Sequence, residues 1–276
     1  MTPAKSIRTG IRLPALLGCC LLLSCTVLED REGCPCRLRV EVQKGCGLDP
    51  DREARLILRS DETPLQREET LPLSRMQDLS YEVRVPKGSV EAGGYVGRRN
   101  ARRDGIRLMI PTGKAADSLY WVSGSVDAVG ETAILPLRIR KEHVCLRIEF
   151  LFEEPGPYPY RIDIRSTTAG IDLSDGHPIA GTYRCRPDEP ADGVFETVLP
   201  RQLHPEDLVM EIRRKSDAEG APLKEIPLGT LISRSAVFSW DDEDLKDLSL
   251  HFDFAHSELL LEVRDWELGE EITCII

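Results

Sequence analysis

Leu38, Val40 and Val42 alternate with Arg39, Glu41 and Gln43, and this period of two predicts a strand buried on one face and wet on the other. The same alternation, or a short apolar run, recurs at Arg55 to Leu58, Tyr81 to Val85, Ile106 to Ile110, Leu119 to Val126, Ala133 to Ile139 and Val144 to Phe152. It continues at Tyr160 to Arg165, Val194 to Leu199, Leu208 to Ile212, Ala236 to Trp240, Leu248 to Phe254 and Leu259 to Val263. Between these runs Gly, Pro, Asp and Asn gather, as at Glu154-Pro155-Gly156-Pro157 and Asp188-Glu189-Pro190, and such clusters end strands in turns. Helical patterning is scarce: Ser74 to Leu79, and a run opened by Ser239 and Asp241 through Lys246, each last a turn or two. Many short strands with turn signals between them predict an all-β chain of β-sandwiches.

A division near residue 140 suits this pattern. It gives a first half of 34–140 and a second of 141–276, each long enough to bury its own core. The second half opens on Val144, Leu146, Ile148 and Phe150, the alternation that opens the first. That echo predicts two similar sandwiches in tandem.

Residues 1–24 follow neither period. Lys5, Arg8 and Arg12 precede an apolar run from Leu13 to Leu23, then Ser24 and Cys25, which is the layout of a secretory signal too short to span a membrane as a mature helix. Leu22-Leu23-Ser24-Cys25 resembles a bacterial lipobox, in which the Cys25 thiol takes a diacylglycerol and, after cleavage, the new N-terminus takes an acyl chain such as palmitate. Leu16-Leu17-Gly18-Cys19 also fits, but leaves an apolar core of only about six residues where a signal needs roughly 7 to 15. Cys25 is therefore the expected lipidation site, and residues 25–33 the tether. Each buried acyl methylene contributes roughly 0.8 kcal/mol, so several chains on one residue anchor a protein without a spanning helix.

Losing 24 of the 276 residues leaves 252, and because three basic and no acidic residues go, the net charge moves from −11 to −14. So acidic a chain is a poor partner for nucleic acid or for anionic lipid heads. Of nine cysteines, Cys19 and Cys20 leave and Cys25 is lipidated; Cys34, Cys36, Cys46, Cys145, Cys185 and Cys274 remain. Six thiols outside a reducing compartment permit disulfides, and Cys36 with Cys46 could clip the first strand to its return; buried free thiols are the alternative.

Catalytic signals are thin. His143 and Cys145 share one face of a strand, but nucleophilic catalysis needs an orienting third group and an exposed thiolate. His143, His177, His204, His251 and His256 are scattered, so no metal site is expected, and no phosphate loop or nucleophile elbow appears. Asp241-Asp242-Glu243-Asp244 lacks the central Gly and distal Glu of a calcium loop and reads as a solvated acidic turn. No enzyme activity and no cofactor are expected. Arg98, Arg99, Arg102 and Arg103 form a basic loop that either docks an acidic partner subunit or is a solvated hairpin tip open to an arginine-specific protease. Trp121, Trp240 and Trp266 read as core anchors, though aromatic residues on a sandwich also serve as sugar platforms.

Lipobox Cys25, the acidic tether Glu29-Asp30-Arg31-Glu32, and Cys34-Pro35-Cys36 running into Arg37-Leu38-Arg39-Val40-Glu41-Val42 resemble the FimB/Mfa2-type fimbrial subunits of Bacteroidales. Leu119-Tyr120-Trp121 and the closing strand followed by Arg264-Asp265-Trp266 extend the resemblance over nearly the whole mature chain; Lys44-Gly45-Cys46-Gly47 departs from it. The resemblance implies two transthyretin-like β-sandwich domains and an outward-facing place on the outer membrane. It also implies a role in anchoring a fimbria and limiting its length, with shaft subunits as partners joined by strand exchange, and no catalysis or cofactor. With the N-terminus held by lipid, the strand to donate is Glu258, Leu259, Leu260, Leu261, Glu262 and Val263, or the final run containing Ile272, Cys274 and Ile276. Either also reads as an intramolecular strand closing the second sandwich. The main rival function is a surface glycan-binding lipoprotein.

Overall fold

Alternation along β1 (Cys36–Val42) becomes burial in the computed structural model, where Cys36, Leu38, Val40 and Val42 are 0 % exposed and the residues between them lie at or near the surface. Described are residues 33–42, 48–78, 81–151, 156–217, 220–253, 258–264 and 271–275, so the signal, Cys25, Cys46 and Ile276 lie outside the described residues. Among the described residues the chain is all-β, as its pattern predicts, with two short α-helices.

The first half forms a seven-stranded layer. Its strands are β1, β2 (Glu53–Arg59), β3 (Gln66–Pro72), β4 (Glu82–Val85), β5 (Ser89–Val96), β8 (Tyr120–Asp127) and β9 (Thr132–Lys141), in the spatial order β3-β2-β5-β8-β9-β1-β4. β9 turns the layer back on itself: its first six residues run parallel to β1, Leu38 opposite Ala133, while Arg138 to Lys141 pair antiparallel with β8. The inward faces of β1, β2, β4, β5, β8 and β9 meet in one apolar core running from Cys36 to Leu137. α1 (Leu73–Gln77) plugs it with Leu73 and Met76, both 0 % exposed.

The second half packs two sheets on a core that runs from Val144 to Val263. One sheet has the order β13-β14-β10-β17-β18-β19, from β10 (His143–Leu151), β13 (Asp188–Ala191), β14 (Val194–Pro200), β17 (Asp247–Asp253), β18 (Glu258–Arg264) and β19 (Glu271–Ile275). The other contains β11 (Tyr160–Asp172), β12 (Pro178–Cys185), β15 (Val209–Arg214) and β16 (Lys224–Ile226). β10 has an antiparallel neighbour, β14, and a parallel one, β17, just as β1 has β4 and β9. The echo between Leu38-Val40-Val42 and Val144-Leu146-Ile148 thus marks strands with equivalent neighbours.

Residues 102–109 cross the division. The hairpin β6 (Arg102–Asp104) and β7 (Arg107–Met109) leaves the first half and adds to the second half's sheet, Ile171 of β11 standing opposite Leu108. Leu108, Tyr95, Leu119, Trp121, Ile171 and Leu173 form a small core at this crossing. Gly170 permits it, since a Cβ there would lie 2.1 Å from the Leu108 carbonyl oxygen.

Two local expectations fail for definable reasons. Ala236 to Trp240 is not a strand: Phe238 and Trp240 dip into the core from a turn, their rings edge-to-face at 5.1 Å, and two anchors two residues apart imitate strand alternation. Ser239 to Lys246 is a succession of turns, and the helix nearby is α2 (Leu228–Ile232), which buries Leu228 and Ile232. Cys36 is a buried free thiol whose pKa burial pushes up, and Cys46, its possible partner in a bridge, lies outside the described residues.

Replacing Gly170 by Ala should force β7 away from β11. Tryptic cleavage after Arg102 and Arg103 should then accelerate in a protein whose two main cores persist; unchanged cleavage would show that the close approach is not needed to seat the hairpin.

Candidate functional site

The predicted partner strands lie at one edge of the second half's first sheet. β18 sits between β17 and β19, with Leu248 opposite Val263 on one side and Val263 opposite Ile272 on the other. Leu261 and Val263 are 0 % and 1 % exposed, so β18 is part of the core and its removal would open the sandwich. Leu260 and Glu262 are half-buried on the other face. β19 pairs Cys274 with Leu261 and is the terminal strand of the sheet. Both strands are thus intramolecular here, β18 integral and β19 peripheral.

Comparing the edges separates β19 from most of the others. An open edge offers unpaired N–H and C=O groups, and proteins blunt such edges with charge, proline or shortness. β3 carries Arg67, Glu68 and Glu69; β4 carries Glu82 and Arg84; β13 reads Asp-Glu-Pro-Ala; β16 and β6 are three residues each with two or three charges. β19 reads Glu-Ile-Thr-Cys-Ile, with its only charge at the start. β12, paired only with β11, also carries a single charge, Arg184, but opens on Pro178; β19 and β12 are the weakly charged edges among the described residues.

On the outer face of the same sheet His251 is clasped between Glu149 of β10, 3.3 Å from Nδ1, and Glu262 of β18, 3.4 Å from Nε2. The clasp spans three neighbouring strands and ties β18 to the sheet interior.

His143 and Cys145 do not make a catalytic pair. The His143 ring is buried edge-to-face against Tyr120, and its Nδ1 donates to the Leu119 carbonyl at 2.9 Å. Burial, and then the Lys141 ammonium nearby, push its pKa down to about 4. Cys145 is exposed in a groove, where partial desolvation and then Asp247 push the thiol up to about 11. Near neutrality the imidazole is uncharged and the thiol protonated, so neither activates the other. No group of three metal-ligating side chains occurs among the described residues.

Around His143 lies a buried polar cluster. Lys141 is 1 % exposed and its Nζ meets Asp247 at 2.5 Å; that carboxylate also accepts the Cys145 N–H at 2.7 Å. Arg201 donates to Glu142 at 2.5 Å and to the carbonyls of Trp240, Asp242 and Glu243 at 2.6, 2.7 and 3.0 Å. The acidic turn at 241–244 is therefore a backbone cradle for one guanidinium rather than a free solvated loop. Removing one partner of such a buried pair costs about 3–5 kcal/mol, because the other charge is stranded. Sequence spacing gave no sign of Arg201, which stands 59 residues from Glu142.

Trp121 and Trp240 are 7 % and 5 % exposed, and Trp266 lies outside the described residues. Trp121 donates its indole N–H to the Leu173 carbonyl at 3.0 Å and carries the Arg140 guanidinium over its ring at 5.1 Å. An open groove of 590 Å³ lies beside it, lined by Ile57, Gly93, Ser123, Ser125 and Ile106 among others, with no exposed aromatic ring among them.

No protein-family model matches the sequence, and no curated protein matches it. Solved structures do, and they define its class: the chain has the fold of Bacteroidales adhesin and fimbrial anchor proteins. A candidate polysaccharide-binding protein from Bacteroides thetaiotaomicron aligns with a TM-score of 0.61 at 13 % identity, over 88 % of this chain and 98 % of its own. A candidate adhesin from the same organism gives 0.58 at 14 % identity, covering 87 % and 97 %. The fimbrial anchor protein Mfa2 from Porphyromonas gingivalis gives 0.55 at 11 % identity, covering 87 % and 99 %. At these identities the likeness is one of fold.

The low pKa of His143 sets a pH dependence. An unfolded His protonates near 6.5, whereas the folded one resists until about 4, so stability should be complete above pH 6.5 and fall as pH drops from there toward 4. The loss is roughly 2–3 kcal/mol in denaturant titrations, and His143→Gln should flatten that segment of the profile. An unchanged slope in the variant would remove His143 as its source.

Proposed function

We propose that this chain is a lipid-anchored subunit of the outer membrane that attaches a fimbria to the cell surface, limits its length and thereby supports adhesion. The observation that carries the reading is the weakly charged free edge at β19, in a chain whose opening carries a lipobox and whose fold is that of the anchor Mfa2. Lipid on Cys25 holds the base, facing outward. Shaft subunits join by strand exchange: a strand from a shaft subunit pairs beyond β19 or replaces it, main-chain bonds supplying affinity and alternate side chains specificity. β18 is a poor candidate for release because Leu261 and Val263 would leave the core with it. No enzyme activity belongs to this reading, which the uncharged His143 and the protonated Cys145 support.

A surface glycan-binding lipoprotein is the second reading, favoured by the name given to the Bacteroides thetaiotaomicron neighbour. The burial of Trp121 and Trp240 weighs against it, since sugars are usually met by an exposed ring face.

Cys25→Ala should release structurally normal fimbriae into the medium; cell-bound fimbriae of normal amount and length in that variant would refute anchoring. Thr273→Lys, which places a charge on the β19 edge, should leave the isolated protein folded yet cut recovery of shaft subunits with it by about tenfold. Deleting 271–276 separates the two uses of the strand: a folded protein that no longer captures the shaft supports exchange, and an unfolded one shows that β19 only closes the sandwich.

A further inference from the structure

Beyond the C-terminal edge, a second recognition site is built on the outer face of the first half. Of the basic loop, only Arg103 has a carboxylate partner among the described residues: it bonds Glu68 of β3, which also holds Arg55 of β2. Arg98 and Arg99, and Arg52 just before β2, make no ion pair with a carboxylate among the described residues, although the chain has 47 acidic residues to 36 basic. These three converge with Arg55 on a cleft of 350 Å³ whose remaining wall includes Tyr95, Thr70 and Glu53.

Two of these guanidinium groups are held in place by something other than carboxylates. Arg98 lies over the Tyr95 ring at 5.8 Å and spends one N–H on the Ala101 carbonyl at 3.1 Å; Arg52 lies over Tyr120 at 6.0 Å. Stacking on a ring leaves most of the five donors of each fork unused. The loop itself is rigid. The carboxylate of Asp117, a residue only 6 % exposed, accepts the consecutive backbone N–H groups of Arg99, Asn100 and Ala101 at 2.8, 2.8 and 2.9 Å. Gly97, at φ +94°, lets the turn settle against the Ser118 carbonyl, where a Cβ would lie 2.1 Å away. The solvated hairpin tip allowed by the sequence is thus a clamped loop presenting positive charge into a cleft.

We propose that this cleft binds the carboxylates of an acidic peptide segment carried by a partner chain. Planar forks aimed into one space suit carboxylates, which they bind bidentately. The volume stands near the low end for ligand pockets, which fits one or two acidic side chains and leaves no room for a folded element. Because the chain carries a net negative charge, the cleft is a local attractor on a molecule whose net charge repels such a segment, which orients the approach.

The test is fluorescence anisotropy of a dye-labelled tetraglutamate peptide against the detergent-solubilised full chain. Binding is expected at low salt, to weaken about tenfold in Arg99→Gln and further in the Arg98→Gln/Arg99→Gln double variant, and to fade as ionic strength rises through about 0.1 M. Tetraglutamine should not bind. Arg99→Gln keeps the loop clamp, which uses the backbone N–H, so circular dichroism and melting should be unchanged. Arg102→Gln, on the same loop but outside the cleft, should bind as the parent does. Equal loss in Arg102→Gln and Arg99→Gln, or absence of binding in the parent, overturns the proposal. So does tighter binding of inorganic phosphate or of a sulfated oligosaccharide. Binding that appears only after Glu29, Asp30 and Glu32 are changed to Gln also overturns it, by assigning the cleft to the chain's own tether.

Discussion

Arg201 is a cation withdrawn from water, and a cation so placed must be bonded on every side or the fold pays several kcal/mol. Its bonds go to Glu142 and to three carbonyls of the 240–243 turn. Glu142 is the one residue between β9, which ends at Lys141, and β10, which begins at His143. The passage from one half to the other is therefore a buried, ion-paired residue where a multidomain chain ordinarily has an exposed linker. Lys141 and His143 on either side are buried too, each with its own partner. Together with the β6–β7 hairpin, which the first half lends to the second half's sheet, this leaves no hinge between the two cores.

Strand periodicity made the class legible because most strands bury one face only, so the core signal survives in the order of residues. β1, β8, β9, β10, β17 and β18 are all visible that way. What periodicity missed has a common cause. β3 is polar on both faces, β5 is interrupted by Gly93 and Gly94, and β13 is four exposed residues with a proline. β3 and β13 are placed by neighbouring strands rather than by burial of their own, whereas β5 buries Val90, Ala92 and Val96 behind a broken pattern. The error at 236–240 is the converse, two aromatic anchors lending a turn the rhythm of a strand. Of the candidate site, the C-terminal strands were legible by pattern. The contrast between β19 and the blunted edges required the sheet order, and the Arg52–Arg98–Arg99 cleft required contacts across more than 40 residues of sequence.

The two proposed recognition features divide by chemistry. The edge of β19 offers backbone groups, which are the same in every protein and give affinity without much selectivity. The arginine cleft offers charge in a fixed arrangement, which discriminates well and contributes less to net affinity in water. On the proposed reading, a partner meeting both would be chosen by one and held by the other.

The parallel pairs β1–β9 and β10–β17 have a mechanical meaning. Tension applied at the start of β1 and drawn off through the end of β9 pulls two parallel strands in opposite directions along their length, so every cross-strand bond is loaded at once. The same holds between the start of β10 and the end of β17. A ladder loaded in this way shears as a unit instead of unzipping bond by bond. With Glu142 and Arg201 locking the step between the two ladders, a pull along the chain meets two shear elements in series and no slack between them.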